Sequence, residues 1–207
     1  VFNINDKEEF IVNKEVVRVY YNFYTDPSVI LEQILNCKLS YHKNDSLTYN
    51  GKYFYDLRHT GYFYKLNEIV KYFEKLTGQK LRHPENNIFT NFQRWIPDNF
   101  NDYKNNYWWP HYDEGHTLLI YLNHDNEKNG LNLYADSNYT KKQFNNFHEH
   151  LKPWHDKKNY QLLRHIKTPF NTAVLFNAKK LLHGCAVNDL TYVDKHRLSQ
   201  VMFFVDK

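Results

Sequence analysis

Cysteine is nearly absent: Cys37 and Cys185 are the only two among 207 residues. They stand far apart and form no metal-binding or redox motif. Two free thiols in a reducing compartment are expected rather than a disulfide. Long apolar runs are missing too. None approaches the ~18–20 residues that a membrane-spanning helix needs. The opening Val1-Phe2-Asn3-Ile4-Asn5-Asp6 has neither the basic nor the apolar region of a signal peptide, so a cytoplasmic chain without a membrane partner is expected. Charge of one sign is not concentrated either. The chain has 27 Lys and Arg against 23 Asp and Glu, a net charge of +4 and a pI near 8.8, with no block of five like charges. Nucleic-acid binding needs a basic face, and scattered charge argues against that partner. Six Gly and six Pro mark turns but no linker, and no internal repeat is visible. Residues 1–207 therefore read as a single domain.

What the chain has in quantity is aromatic side chains, at 18% with 15 Phe, 18 Tyr and 4 Trp. That load, on a chain long enough to bury a core, argues against disorder. Before residue 86 the pattern is mixed. Glu15 to Tyr24 reads as a strand. Asp26-Pro27 supplies a helix cap and a first-turn proline, with Val29, Ile30, Ile34 and Leu35 on one face of the helix. A second helix runs from about Leu66 to Leu76 through Leu66, Ile69, Val70, Phe73 and Leu76, and Gly78 stops it. From Asn86 onward short strands follow one another: Ile88 to Trp95, Thr117 to Leu122, Leu131 to Tyr134, Tyr160 to Ile166, Thr172 to Phe176, Leu181 to Val187 and Leu198 to Val205. Turn residues such as Asn129-Gly130 and Pro169 separate many of them. This predicts a mainly β fold of the jelly-roll kind, with residues 86–207 as the core and 1–85 as strand and helix support. Ser137 to Lys158 is polar and reads as an insertion over the sheet.

The chemistry rests on His111-Tyr112-Asp113. Residues i and i+2 of an extended strand point to one side, so His111 and Asp113 can address one ion. With 12 histidines in the chain, one H-x-D is weak evidence alone. His83-Pro84-Glu85 and His148-Glu149-His150 compete with it. His183 follows the apolar strand Ala173 to Phe176, and Gly184 would let another backbone pass closely. Two imidazoles and one carboxylate hold one face of an Fe(II) ion and leave the other open. Arg197 comes 14 positions after His183 (197 − 183), and its planar fork suits a bidentate carboxylate contact. Lys195 is the competing cation.

With these residues the sequence resembles the Fe(II)- and 2-oxoglutarate-dependent oxygenases, in their prolyl-hydroxylase-like branch. The resemblance covers roughly Phe89 to Asp206. It is carried by His111-Tyr112-Asp113, Leu118 to Asn123, Asn129 to Tyr134, Asn171 to Phe176, His183-Gly184 and Arg197-Leu198-Ser199, in that order. It implies a double-stranded β-helix, iron ligands His111, Asp113 and His183, and 2-oxoglutarate held by Arg197, Tyr121 and Ser199. It also implies O2 consumption, release of succinate and CO2, and hydroxylation of an unactivated C–H bond. Asp113 favours hydroxylation over halogenation, since the iron halogenases lack that carboxylate. The first substrate guess is a prolyl residue of a peptide or protein, followed by a small amino-acid-like metabolite. A nucleobase-oxidising relative and a non-catalytic jelly-roll binding module remain as alternatives. Asn91 and Gln93 alternate on one strand face and are candidates for substrate contact. Trp108 and Trp109 are candidates for an aromatic wall or for core packing. His116 reads as outside the ligand set, because such a site needs open positions.

Overall fold

Successive side chains of a strand point to opposite faces of its sheet, and in the central strands both faces are covered, so Gly130–Tyr134 and Thr172–Phe176 are buried throughout. The computed structural model describes residues 1–41, 54–60, 66–124, 128–135 and 153–206, and within these the protein is mainly β. Its strands are β1 (Lys7–Val12), β2 (Glu15–Tyr20), β3 (Ser40–Tyr41), β4 (Phe54–Thr60), β5 (Ile88–Trp95), β6 (Asn106–Trp108), β7 (His116–Tyr121), β8 (Gly130–Tyr134), β9 (Trp154–Asp156), β10 (Leu162–Lys167), β11 (Thr172–Asn177), β12 (Leu182–Ala186) and β13 (Arg197–Phe204). One antiparallel sheet of eight strands runs β1-β2-β11-β7-β13-β5-β4-β3, and a sheet of three runs β10-β8-β12. Strands β6 and β9 pair separately.

The two sheets face each other as in a β-sandwich. Val19, Tyr121, Val174 and Phe176 of the large sheet share one buried cluster with Leu131, Leu133 and Ile166 of the small one. The opposite face of the large sheet, including Leu118, Ile120, Ala173, Leu175, Met202 and Phe204, shares a second core with residues of two helices. These are α1 (Pro27–Asn36) and α2 (Leu66–Thr77). Asp26 caps α1 by accepting from the Ser28 backbone N–H. Ile30 and Ile34 are buried, but Val29 and Leu35 are exposed, Leu35 at 80%. Four apolar residues within one helix span more arc than the sheet covers. Leu76 of α2 is likewise part-exposed, at 37%.

The eight-stranded sheet crosses the boundary expected at residue 86, since β1 to β4 extend both of its edges. The strand expected to reach Tyr24 ends at Tyr20, and Asn22 turns the chain at φ 48°. Most of the segment Ser137 to Lys158, with the competing His148-Glu149-His150, lies outside the described residues. Its last part forms β9 and a short 3-10 turn, Lys157–Asn159. Among the described residues no helix is long and apolar enough to cross a membrane.

Candidate metal centre

The strand pairs place inward-facing residues of the large sheet in rows. Arg197 pairs with Gln93, Ser199 with Asn91, and Val201 with Phe89. On the other side of β13, Ser199 pairs with Tyr121, Val201 with Leu119 and Phe203 with Thr117. Arg58 continues the Asn91 row into β4, and Thr172 continues the Tyr121 row into β11. Apart from Ser199 and Thr172, which are fully buried and do not line it, these side chains form one wall of a cavity of about 420 Å³. The small sheet supplies the facing wall with Leu131, His183 and Cys185, and the chain from Trp108 to Asp113 closes one end.

His111, Asp113 and His183 meet at that end. One ligand atom from each lies within 4.8 Å of the others. His183 Nε2 is 3.2 Å from Asp113 Oδ2, and His111 Nε2 is 3.7 Å from Asp113 Oδ1. Adjacent ligands of one ion with bonds of about 2.1 Å stand roughly 3 Å apart, so the spacing fits a single first-row metal. His111 and His183 exchange backbone hydrogen bonds at 2.8 and 3.0 Å, which joins the 111–113 segment to β12. Gly184 makes this possible. A Cβ there would sit 2.6 Å from the Trp108 carbonyl oxygen.

Both rings are oriented from behind. His111 Nδ1 lies 2.7 Å from the Trp109 carbonyl and His183 Nδ1 lies 3.0 Å from the Leu181 carbonyl. With a metal bound, a proton on each Nδ1 would donate to its carbonyl and leave each Nε2 lone pair for the ion. Trp109 takes φ 38°, a strained backbone for a bulky residue. Its N–H donates to the Pro153 carbonyl at 2.6 Å, so the strain is held at the point that aims His111. Burial pushes the Asp113 carboxyl up, but the His111 and His183 rings outweigh it and bring it down to about 2. The carboxylate is thus ionised and ready to bind a cation.

Arg197 lies at the other end. It is 6% exposed, donates to Gln93 Oε1 at 2.8 Å and to Ser199 Oγ at 3.2 Å, and sits 5.3 Å over the Tyr121 ring. No carboxylate pairs with it among the described residues. Burial disfavours its charge, yet the guanidinium stays protonated. Burial raises the Tyr121 phenol and keeps it a neutral O–H. The Tyr121 hydroxyl and Thr172 Oγ1 are buried without a hydrogen-bond partner among the described residues. Beyond the bonds to Gln93 and Ser199, a buried cation beside these two hydroxyls offers donors that an anion could accept.

Of the other sequence candidates, Asn91, Gln93, Trp108 and Trp109 all line the cavity. Gln93 holds Arg197, and Trp108 also packs in the core against Trp95 at 5.2 Å and Trp154 at 4.8 Å. Lys195 is exposed and does not line the cavity. The short helix Thr191–Asp194 takes up the long step from His183 to Arg197. His116 turns to Gln79, with Nδ1 at 2.8 Å from Oε1. His83 and Glu85 pair at 3.3 Å on an exposed turn. Both cysteines are free thiols. Arg58 was not among the sequence candidates. It is in a strand whose inward positions, Asp56 and Arg58, are charged, so apolar alternation gave no signal.

Fold and site together define a β-sandwich whose central cavity holds a His-Asp-His group able to bind a metal ion. No family profile matches the chain, and no curated protein matches it.

Proposed function

We propose that the protein is an Fe(II)- and 2-oxoglutarate-dependent oxygenase with a jelly-roll core, hydroxylating an unactivated C–H bond. The observation that carries this reading is the buried Arg197, without a carboxylate partner among the described residues, in the same cavity as His111, Asp113 and His183. A metal-binding sandwich without a carboxylate co-substrate has no use for a desolvated cation at that place, because its burial is costly.

The residues present fit both groups. Two neutral imidazoles and one carboxylate suit Fe(II) and leave coordination positions open. Arg197 would hold the distal carboxylate of 2-oxoglutarate, with Ser199, Tyr121 and Thr172 offering hydroxyls around it. Gln93 keeps the guanidinium in place. Iron with 2-oxoglutarate would supply the oxidant from O2 and release succinate and CO2. The chain's own residues orient and shield. Leu119, Leu131, Val201, Phe89 and Phe203 make the cavity between the two polar ends apolar, which excludes water from the reacting carbon.

Anaerobic addition of Fe(II) and then 2-oxoglutarate tests the reading. A weak visible metal-to-ligand charge-transfer band is expected, absent in Asp113→Ala, followed by substrate-dependent succinate release in air. Full turnover by Asp113→Ala would remove the iron assignment.

A further inference from the structure

Arg58 is the second cation of the cavity wall. Asp56, two residues before it on the same strand face and 3% exposed, accepts from Arg58 Nε at 2.8 Å and contacts Nη2 at 2.7 Å, both through Oδ2. This fixes the guanidinium plane. The guanidinium carbon lies 4.8 Å over the Phe89 ring. Phe89 is one inward row nearer the metal ligands than Asn91, the residue opposite Arg58. Phe89 also packs on Phe203 at 5.5 Å. Phe203 in turn pairs with Thr117, whose hydroxyl lies 3.5 Å from Asp113 Oδ2. The Arg58 guanidinium thus spans from Asp56, in the row of Gln93 and Arg197, to Phe89, one row nearer the metal than its own, while Arg197 starts from the row farther from the metal. The two cations serve different parts of the cavity.

Between them sits Asn91, 4% exposed, whose Oδ1 is buried without a hydrogen-bond partner among the described residues. A buried amide oxygen needs an N–H or O–H donor. A fixed guanidinium beside an unsatisfied acceptor complements a ligand carrying an anion and a donor on adjacent atoms. An α-amino acid head group, carboxylate next to ammonium, has that arrangement.

We propose that the substrate is a free amino acid, its carboxylate on Arg58 and its ammonium on Asn91 Oδ1. Its side chain then runs along Phe89 and Phe203 toward the metal. This deepens the oxygenase reading and rests on it. One substrate C–H becomes C–OH with one atom of O2, and the other oxygen enters succinate as 2-oxoglutarate loses CO2. A peptide-bound residue lacks both charges of the head group, so this inference favours a small molecule over a peptidyl substrate.

The test is calorimetric, on the full chain loaded with Mn(II), with and without 2-oxoglutarate. The probes are the twenty L-amino acids, their C-terminal amides and their N-acetyl derivatives. At least one free amino acid is expected to bind, with its amide and N-acetyl forms weaker by about tenfold or more, as loss of a charged hydrogen bond implies. Arg58→Lys, which keeps a cation for Asp56, should lose the acid-over-amide preference. Asn91→Leu should lose the preference for the free amine, and Asn91→Asp, which retains the acceptor, should restore it. Absence of any free amino acid that binds, equal binding of the amides, or a preference that survives Arg58→Lys overturns the proposal. Binding with these preferences but no 2-oxoglutarate affinity would overturn the oxygenase reading and leave the amino-acid site standing.

Discussion

Among the described residues the Arg197 guanidinium, 6% exposed, meets Gln93, Ser199 and the Tyr121 ring but no carboxylate. Uncompensated buried charge costs several kcal/mol, so its retention points to a ligand. Arg197→Met should therefore separate stability from binding. Ligand-free melting temperature is expected to stay level or rise, since apolar replacement of a buried charge gains up to about 1–4 kcal/mol. Affinity for 2-oxoglutarate should fall about 100-fold, while Mn(II) affinity changes little. Thermal melts and two titrations check this, and a large drop in stability with 2-oxoglutarate affinity intact would count against the carboxylate role. His183→Ala should behave in the opposite sense. His183 is 3% exposed and contacts Asp113 at 3.2 Å, so its loss is expected to abolish Mn(II) binding and, through the metal, 2-oxoglutarate binding.

At the scale of elements, the site depends on one close approach. The 106–111 segment lies against β12 only because position 184 has no side chain, a Cβ there falling 2.6 Å from the Trp108 carbonyl. Gly184→Ala should push that segment away and swing His111 out of the triad. The expected result is metal affinity lower by at least about tenfold, with a stability loss of about 1–3 kcal/mol from overpacking. A metal titration and a denaturant melt measure the two separately. Gly115, at φ 88° with the Phe204 carbonyl where a Cβ would go, fixes the start of β7 in the same manner. Neither requirement could be derived from sequence, although Gly184 beside His183 raised the expectation of a tight passage. The strands β5, β7 and β13 themselves were more legible, from the polar and apolar mix of Ile88–Trp95 and the apolar runs that begin at Thr117 and Leu198. Strand β4 was missed for the converse reason. Its inward residues Asp56 and Arg58 are charged and pair with each other across two positions through Asp56 Oδ2, a pattern without the apolar alternation of a strand. Likewise the faces of α1 were too broadly drawn, since only tertiary contact decides which of its apolar residues the sheet reaches.

For the whole molecule, the consequence of this architecture is linkage between ligands. His111 and Asp113 precede β7 of the large sheet, and His183 is in β12 of the small sheet. A metal ion bound by all three ties the two layers together at one end of the cavity. A 2-oxo acid chelated to that ion and held by Arg197 on β13 would tie the ion to the other end. The unfolded chain offers no such set, so each ligand should stabilise by mass action, about 2.7 kcal/mol at 100 times its dissociation constant. For a chain of this length that corresponds to about 5–10 °C in melting temperature. The order of addition should matter. Mn(II) alone is expected to raise the melting temperature, and 2-oxoglutarate should add a further rise only after the metal. EDTA should reverse both. Differential scanning fluorimetry of wild type beside Arg197→Met and Asp113→Ala resolves the steps: Arg197→Met should keep the first rise and lose the second, and Asp113→Ala should lose both. Equal stabilisation by 2-oxoglutarate with and without metal would mean that the acid binds elsewhere, and the two ends of the cavity would then have to be assigned to separate functions.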